Sequence, residues 1–284
     1  ASYITKKRIL DKNSEGIKTL KSFYDSNKDA IEHQFHFSHD LYKGFSDIDD
    51  FNLSYPFVPY QFRLISDVFD SFSNINYVIK EVKDNERSVL GITHFTVKEH
   101  AEKDIGFFMP FDAFFNKQFR QNLTHTARRI IDRSNQLDFI KNDNFATRVV
   151  NTLFMIANLS DDKRIAFPSN LDNLCILLMQ EPDTNRLELQ SKIQAVLEKL
   201  VEQNIIREEE GQYHFFKEDE IEVADLIKNT KISTDDKLTA LYDNIFSSFL
   251  TISSKFSYGN NNFKLAISFD DKQIFPNGDI DVRL

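Results

Sequence analysis

The chain has 284 residues, of which 41% are hydrophobic and 28% charged, and its aromatic residues comprise 28 Phe and 9 Tyr. This composition can fill more than one packed core and excludes a chain that is disordered throughout. The formal net charge is −9; residues 1–150 carry 21 basic against 21 acidic side chains, whereas residues 151–284 carry 14 against 23. A basic domain that wraps duplex DNA is therefore excluded.

The longest uninterrupted apolar run is Leu174–Met179, which is far shorter than the roughly 20 residues that a bilayer requires. The first residues also lack the basic and then apolar pattern of a secretion signal. We therefore expect a cytoplasmic protein with no membrane partner. Because the chain begins with Ala1 rather than Met, we also expect it to be part of a longer polypeptide.

Glycine and cysteine usage excludes several kinds of enzyme. None of the seven glycines stands in a GxxxxGK[ST] phosphate loop or a GxGxxG dinucleotide motif, and the GxSxG and HExxH motifs do not occur. We therefore expect this chain by itself to bind no nucleoside triphosphate. The single Cys175 excludes an internal disulfide and any zinc site with several cysteines, and its apolar neighbours predict a buried thiol.

The N-terminal segment, residues 1–54, is predicted to contain helices and a loop. Apolar residues recur at helical spacing over Ser2–Phe35, which predicts two or three surface helices. Residues His36–Leu53 follow neither the helical nor the strand period, and we expect a loop there.

The next segment, residues 55–165, is predicted to be a helical bundle. It opens with the octet Tyr55–Phe62, in which Pro59 suits the first turn of a helix. A short helix is expected near Glu86–Gly91, and an aromatic helical run is expected after Pro110. The strongly apolar Asn144–Leu159 predicts a helix at the centre of the bundle.

Residues 166–230 have the pattern of a winged helix. A capped helix at Leu171–Met179 is followed by a second helical run that ends near Val201. Short strands at Ile205–Arg207 and Tyr213–Phe216 then flank a turn at Glu208–Gln212.

The last segment, residues 231–284, is predicted to combine a helix with a partial β segment. The helix covers Thr234–Ser254, and Phe263–Phe269 alternates as a strand. The fold class that we predict is therefore mainly α (α+β): a helical bundle or lid, a winged-helix module and a short C-terminal β segment.

Basic residues are concentrated between residues 120 and 133. Arginine suits bidentate binding of phosphate, and the anion-binding candidates are Arg120, Arg128, Arg129 and Arg133, with His125 beside them. The alternative is a solvated helix face whose arginines pair with Asp112 and Asp132.

Three histidines, His33, His36 and His39, lie three residues apart, a spacing at which imidazoles can share a metal ion. The alternative is a set of separate surface histidines. We favour this alternative and predict no metal site.

The winged helix raises the question of DNA binding, because the second helix of this motif can enter the major groove. The predicted hairpin tip is Glu208–Glu210, and the helix offers Lys192 and Lys199 against three glutamates, Glu188, Glu198 and Glu202. A phosphate backbone would be repelled at the tip. We therefore favour a wing that contacts protein or is structural.

Four parts of the chain, taken in order, resemble the BrxC/PglY P-loop ATPases, large proteins of bacterial BREX phage-defence systems. The resemblance lies in Lys7-Arg8-Ile9-Leu10, the octet Tyr55–Phe62, Glu86-Arg87-Ser88, and the winged helix Leu171–Phe216 with the following Glu218–Ile227. It implies that this chain is an internal, non-catalytic lid and winged-helix region that follows a nucleotide-binding core.

The resemblance also implies roles for individual residues and partners. Arg87, next to Glu86, would be an arginine finger or sensor that reaches a γ-phosphate. We assign an interdomain hinge to Tyr55, Pro56, Pro59 and Gln61. ATP and Mg²⁺ are expected for the full-length protein and not for this chain. The expected partners are its own N-terminal ATPase core, other BREX proteins and a homo-oligomer, with DNA contacted only indirectly.

Two other functions fit parts of the sequence. A stand-alone winged-helix DNA-binding regulator would bind duplex DNA through Lys192 and Lys199. A hydrolase that uses the histidine cluster would contain stoichiometric metal.

Overall fold

The computed structural model describes residues 2–37, 39–79, 85–217, 220–221, 223, 226–227, 230–241, 244, 255–269, 272–275 and 277–283. The chain divides into two compact units, Ala1–Ala224 and Asp225–Leu284. The predicted boundaries at 54/55 and 165/166 both lie inside the first unit.

Unit 1 is mainly helical. Its helices are α1 (Ser2–Ile9), α2 (Ser14–Gln34), α3 (Ile48–Ser54), α4 (Pro59–Asn74), α5 (Asn85–Glu99), α6 (Lys117–Gln121), α7 (His125–Asn135), α8 (Asp138–Lys141), α9 (Asn144–Ala157), α10 (Asp161–Ala166), α11 (Leu171–Leu178) and α12 (Arg186–Glu202), with a 3₁₀ turn at Phe111–Phe114. One hairpin follows, β1 (Ile206–Glu209) and β2 (Gln212–Phe215).

Asparagine and aspartate side chains begin many of these helices. Each accepts a hydrogen bond from a backbone N–H in the first turn, which has no partner within the helix. The capping residues are Asn13, Asp47, Asn116, Asp143, Asn170 and Asn185, before α2, α3, α6, α9, α11 and α12 respectively.

Aromatic rings fill the core of residues 2–166, which we call the aromatic bundle. Phe108 packs against Phe35, Tyr55 and Phe51, at centroid distances of 4.4, 5.6 and 6.3 Å. The ring centroid of Phe154 in α9 lies 5.5 Å from the ring centroids of both Phe72 and Phe215. Edge and tilted ring contacts of this kind add to the free energy gained by burial.

Residues 167–217 form a helix–hairpin module around aliphatic side chains. The buried residues include Leu174, Leu177, Ile193, Leu197, Leu200 and Ile206. In the hairpin, Ile206 pairs with Phe215 and Glu209 with Gln212. The backbone N–H of Tyr213 donates to the carbonyl of Ser169 (3.0 Å), and the Ser169 hydroxyl donates to the Tyr213 carbonyl (2.8 Å).

Unit 2 contains helix α13 (Thr234–Leu241) and a sheet of β3 (Lys255–Tyr258), β4 (Asn261–Phe269), β5 (Lys272–Phe275) and β6 (Ile280–Arg283). β4 pairs antiparallel with β3 and β5 and parallel with β6. A side chain at Gly278 would collide with the backbone of Leu265 and Ala266, so the approach of β6 to β4 requires glycine.

The coarse fold prediction is confirmed: the protein is mainly helical, with small sheets and a C-terminal strand segment. The predicted helix from Pro59 and the predicted strand at Phe263–Phe269 are present. The predicted helix that starts at Thr234 is present as Thr234–Leu241, and most of its predicted continuation to Ser254 lies outside the described residues.

Several local predictions need correction. The expected loop at His36–Leu53 contains α3, which Asp47 caps. The expected short helix at Glu86–Gly91 is one end of the 15-residue α5, and the aromatic run after Pro110 is a 3₁₀ turn and then α6, because Asn116 caps a new helix.

The hairpin turn is also shorter than expected. Glu208 and Glu209 belong to β1, and only Glu210 and Gly211 form the turn, with φ of 52° and 76°. Two-residue turns with positive φ at both positions match the twist of a hairpin.

Candidate functional site

The octet Tyr55–Phe62 is buried inside unit 1. Gln61 is 1% exposed; its amide nitrogen donates to the carbonyl of Met109 (2.7 Å), and its amide oxygen accepts from the N–H of Val58 (3.0 Å). The N–H of Met109 donates in turn to the carbonyl of Pro56 (2.9 Å). The structure therefore places the four predicted hinge residues in a cross-linked stretch of unit 1, and their hinge role stays a prediction.

The segment that the octet holds, residues 106–110, also contacts the helix–hairpin module. The N–H of Phe108 donates to the carbonyl of Gln180, which lies in the connection between α11 and α12 (2.7 Å). A hydrogen-bonded path thus runs from Gln61 through Met109 and Phe108 to Gln180. We call this path, together with Arg148 and Asp112, the junction.

Arg148 of α9 completes the junction. Its Nε donates to both carboxylate oxygens of Asp112 (3.1 Å each), and its Nη2 donates to the carbonyl of Leu178 (3.0 Å). The side chains of Arg148 and Asp112 are 18% and 12% exposed. Burial raises the pKa of Asp112, and the Arg148 guanidinium opposes that shift. The guanidinium fork thus ties the 3₁₀ turn to the end of α11.

A second buried carboxylate, that of Asp67, links α4 to more distant parts of the chain. Tyr42 Oη donates to Asp67 Oδ2 (3.1 Å), and Lys163 Nζ lies 3.2 Å from Asp67 Oδ1. Burial next to this carboxylate raises the pKa of Tyr42. Tyr42, Asp67 and Lys163 therefore connect three parts of the chain, namely the loop after α2, helix α4 and helix α10.

Three features of this site were not predicted from the sequence: Arg148, Asp112 as its buried partner, and Asp67. Arg148 could have been noticed as the one charged residue in the apolar run Asn144–Leu159. Its partner Asp112 is 36 positions away, and nothing in the sequence indicates that pairing.

Glu86 and Arg87 lie in the first turn of α5, and the Arg87 side chain is exposed. Neither residue belongs to the junction. Arg87 therefore occupies a surface position, and its role toward nucleotide stays a prediction.

The structure separates the four predicted anion-binding arginines into two pairs. Arg120 forms an ion pair with Asp132 (2.6 Å), and Arg128 donates to the carbonyl of Gln121 (2.9 Å). Arg129 and Arg133 instead line a cavity of about 440 Å³ together with Thr126, Ile130, Asp132, Gln136 and Ile221.

The described residues do not bring His33, His36 and His39 together as metal ligands. His33 is in the last turn of α2, whereas His39 Nδ1 accepts from the N–H of Leu41 (3.2 Å). Within the described ranges, no group of three His, Cys, Asp or Glu side chains is placed to hold a metal ion.

The exposed face of the helix–hairpin module is acidic. Residues 167–217 carry nine acidic and five basic side chains. Lys192 pairs with Glu188 (2.6 Å), Lys199 Nζ lies 5.5 Å from the centre of the Phe139 ring, and Arg207 pairs with Glu220 (3.1 Å). These three cations are thus already engaged with partners in unit 1.

In the part of the chain that the structure describes, no helix combines the length and apolarity needed to cross a bilayer. No protein-family model and no solved structure matches the chain.

Proposed function

We propose that this chain is a non-catalytic region of a BREX-type P-loop ATPase that couples ATP turnover in a neighbouring core to contacts with partner proteins in the cytoplasm. The resemblance of the octet, of Glu86-Arg87-Ser88 and of the helix–hairpin segment to the BrxC/PglY ATPases supports this proposal. ATP and Mg²⁺ would bind the core, because this chain carries no phosphate-loop motif.

The observation that carries the proposal is the junction. The octet and the helix–hairpin module are joined by short hydrogen bonds through Met109, Phe108 and Gln180, and by the partly buried Arg148. A packed and cross-linked connection of this kind can transmit a displacement from one end to the other. A movement imposed on the octet by the ATPase core would therefore move the module with it.

We propose further that the helix–hairpin module is a winged helix. Helices α11 and α12 precede the antiparallel hairpin, and the carbonyl of Ser169 accepts a hydrogen bond from the N–H of Tyr213 in β2. The acidic face supports a wing that contacts proteins, because a nucleic-acid backbone would be repelled. Any contact with DNA would then be made through other BREX proteins.

We propose that Arg87 reaches the nucleotide that is bound to the ATPase core, either the core of the same polypeptide or that of a neighbouring copy. The exposed position in the first turn of α5 is compatible with this role, and the fixed charge of a guanidinium stabilises a transferring phosphoryl group.

The first test measures ATP binding and hydrolysis by this chain alone and reads the coding frame upstream of it. We expect no binding, no turnover, and a GxxxxGK[ST] codon pattern upstream in the same frame. Saturable ATP binding by the isolated chain, or a gene that contains no such pattern, refutes the proposal.

The second test uses the full-length ATPase. Arg87→Ala should lower ATP turnover at least tenfold without loss of folding, whereas the matched control Lys98→Ala, at an exposed position of the same helix, should leave turnover within twofold. Unchanged turnover in Arg87→Ala removes the sensor role.

A second candidate function is a stand-alone winged-helix DNA-binding regulator, which the order of the helices and the hairpin favours. It predicts a gel shift with duplex DNA that persists at moderate salt and weakens in Lys192→Ala and Lys199→Ala. A titration without any shift removes this candidate.

A further inference from the structure

A groove runs along one face of α2 in unit 1. Phe23, Asn27, Ala30 and Gln34 lie at helical spacing on that face. Two surface depressions, of about 450 and 770 Å³, share Pro182 as a lining residue, and the larger one is shallow. The opposite wall consists of residues 103–107 and 181–183. We call this surface the α2 groove.

Hydrogen bonds fix the walls of the α2 groove. The N–H of Gly106 donates to Tyr55 Oη (2.9 Å), and Gly106 has a φ of 109°, a conformation that favours glycine. On the other side, the Gln34 amide donates to the carbonyl of Thr184 (3.0 Å). The groove is therefore preformed, which lowers the entropic cost of binding a partner.

Three apolar side chains on the two walls of the groove are accessible. Ile105 is 49% exposed, and Phe23 and Phe107 are half-buried. Lys103 Nζ lies 5.2 Å from the centre of the Phe107 ring, so its charged end covers part of that ring. Exposed apolar side chains that are grouped in a concave surface are typical of a binding site.

Carboxylates line the rim. Asp29, Glu32, Asp104, Glu181 and Asp183 are all exposed. Glu32 accepts from Tyr24 Oη (3.0 Å), whereas the other four side chains form no ion pair with any described residue. The basic residues that line the groove are Lys103 and His33. Accessible apolar side chains beside unpaired carboxylates are complementary to a segment that is both apolar and positively charged.

We propose that the α2 groove binds a short, basic, amphipathic helix of a partner protein. The face of α2 from Phe23 to Gln34 is about 16 Å long at 1.5 Å per residue, which matches about three turns of a bound helix. Apolar side chains of that helix would cover Ile105 and Phe23, and its Lys and Arg side chains would meet Glu181 and Asp183. This inference does not depend on the ATPase proposal, because the side chains that would contact the helix, those of Phe23, Ile105, Glu181 and Asp183, take no part in the junction.

The experiment uses the full chain and a fluorescein-labelled 14-residue peptide with leucine on one helical face and lysine elsewhere. Fluorescence anisotropy should show saturable binding at a 1:1 ratio. A peptide with glutamate in place of every lysine should not bind. No saturable binding of the lysine peptide overturns the proposal.

Variants then locate the binding site. Glu181→Lys with Asp183→Lys should weaken binding at least tenfold, and Ile105→Ser, which changes no charge, should weaken it about fivefold. The matched control is Glu208→Lys with Glu209→Lys, which makes the same change in net charge on β1 and should leave affinity within twofold. Circular dichroism checks that each variant is folded.

If both double variants lost the same affinity for the lysine peptide, the peptide would be attracted only by the net charge of −9, and the proposal would be overturned. An unchanged affinity in Ile105→Ser would overturn it as well. A dimer that becomes monomeric in Ile105→Ser, measured by analytical ultracentrifugation, would assign the groove to a second copy of this chain instead.

Discussion

The aromatic bundle and the helix–hairpin module both exclude water from their interiors, but different interactions hold them together. The bundle packs phenylalanine rings around loops and turns, and polar side chains bind these segments from inside. Gln61 binds the Met109 carbonyl, Asp67 binds the loop residue Tyr42, and Arg148 binds Asp112 of the 3₁₀ turn. The module packs aliphatic side chains between regular helices and strands, whose backbone groups satisfy one another.

This difference follows from the backbone. Buried N–H and C=O groups need partners, and the octet and residues 106–110 have neither helix nor ladder partners for many of theirs. Side chains must supply those partners in the bundle. The bundle should therefore be sensitive to polar substitutions that the module would tolerate.

The largest expected effect is that of Arg148→Ala. The substitution leaves the Asp112 carboxylate buried without its guanidinium and should cost about 3–5 kcal/mol of unfolding free energy. Urea denaturation followed by circular dichroism measures it. The control Arg128→Ala, at an exposed position, should cost less than about 0.5 kcal/mol. A similar small loss in both variants would contradict the difference drawn between the two regions.

The module should respond most to the loss of aliphatic volume. Leu197 of α12 is fully buried. Leu197→Ala should lower the free energy of unfolding by about 2–4 kcal/mol, because the removed methyl groups are no longer buried and a cavity remains in their place. Leu187 lies on the same helix and is 77% exposed. Leu187→Ala should change the urea midpoint little, and equal losses in the two variants would show that α12 is not packed through Leu197.

Gln61→Ala tests the polar connection of the octet. It leaves the Met109 carbonyl and the Val58 N–H without their partner, at a cost of about 1–3 kcal/mol. Gln118→Ala, at an exposed position of α6, is the matched control. Hydrogen exchange should show faster exchange at Val58 in the first variant only; identical exchange in both would remove the proposed role of Gln61.

The smallest expected effect concerns pH. Burial, and then the nearby Arg164 and Arg207, lower the pKa of His214 below its ordinary value of 6.5. Below pH 6.5 the unfolded chain binds a proton at His214 more readily than the folded module does. The free energy of unfolding should therefore decrease as the pH is lowered below 6.5, and it should not change with pH above that value. His214→Gln should flatten this part of the profile. A slope shared by both proteins would assign the titration to another group.

The sequence predicted the elements whose signals are local. Pro59 fixed the start of α4, and Gly211 marked the hairpin turn. Helix α5 was underestimated because Thr93 and Thr96, two of its buried positions, are polar residues. Their hydroxyls bond the carbonyls of Val89 and Ala113, so burial is compatible with polarity there.

The junction could not be predicted in the same way. The bond from Gln61 to Met109 spans 48 positions and that from Arg148 to Asp112 spans 36, and nothing about either residue indicates its partner. The octet was noticed in the sequence, but its many bonds to residues 106–110 appear only once the chain is folded.

The chain's single thiol offers a direct measurement of local opening. Cys175 is fully buried in α11, its sulfur lies 3.8 Å from the Arg186 carbonyl oxygen, and burial raises its pKa to about 11. A disulfide reagent such as Ellman's can modify it only after α11 and α12 separate. The rate of colour release from the unaltered protein would therefore count those separations, without any engineered label.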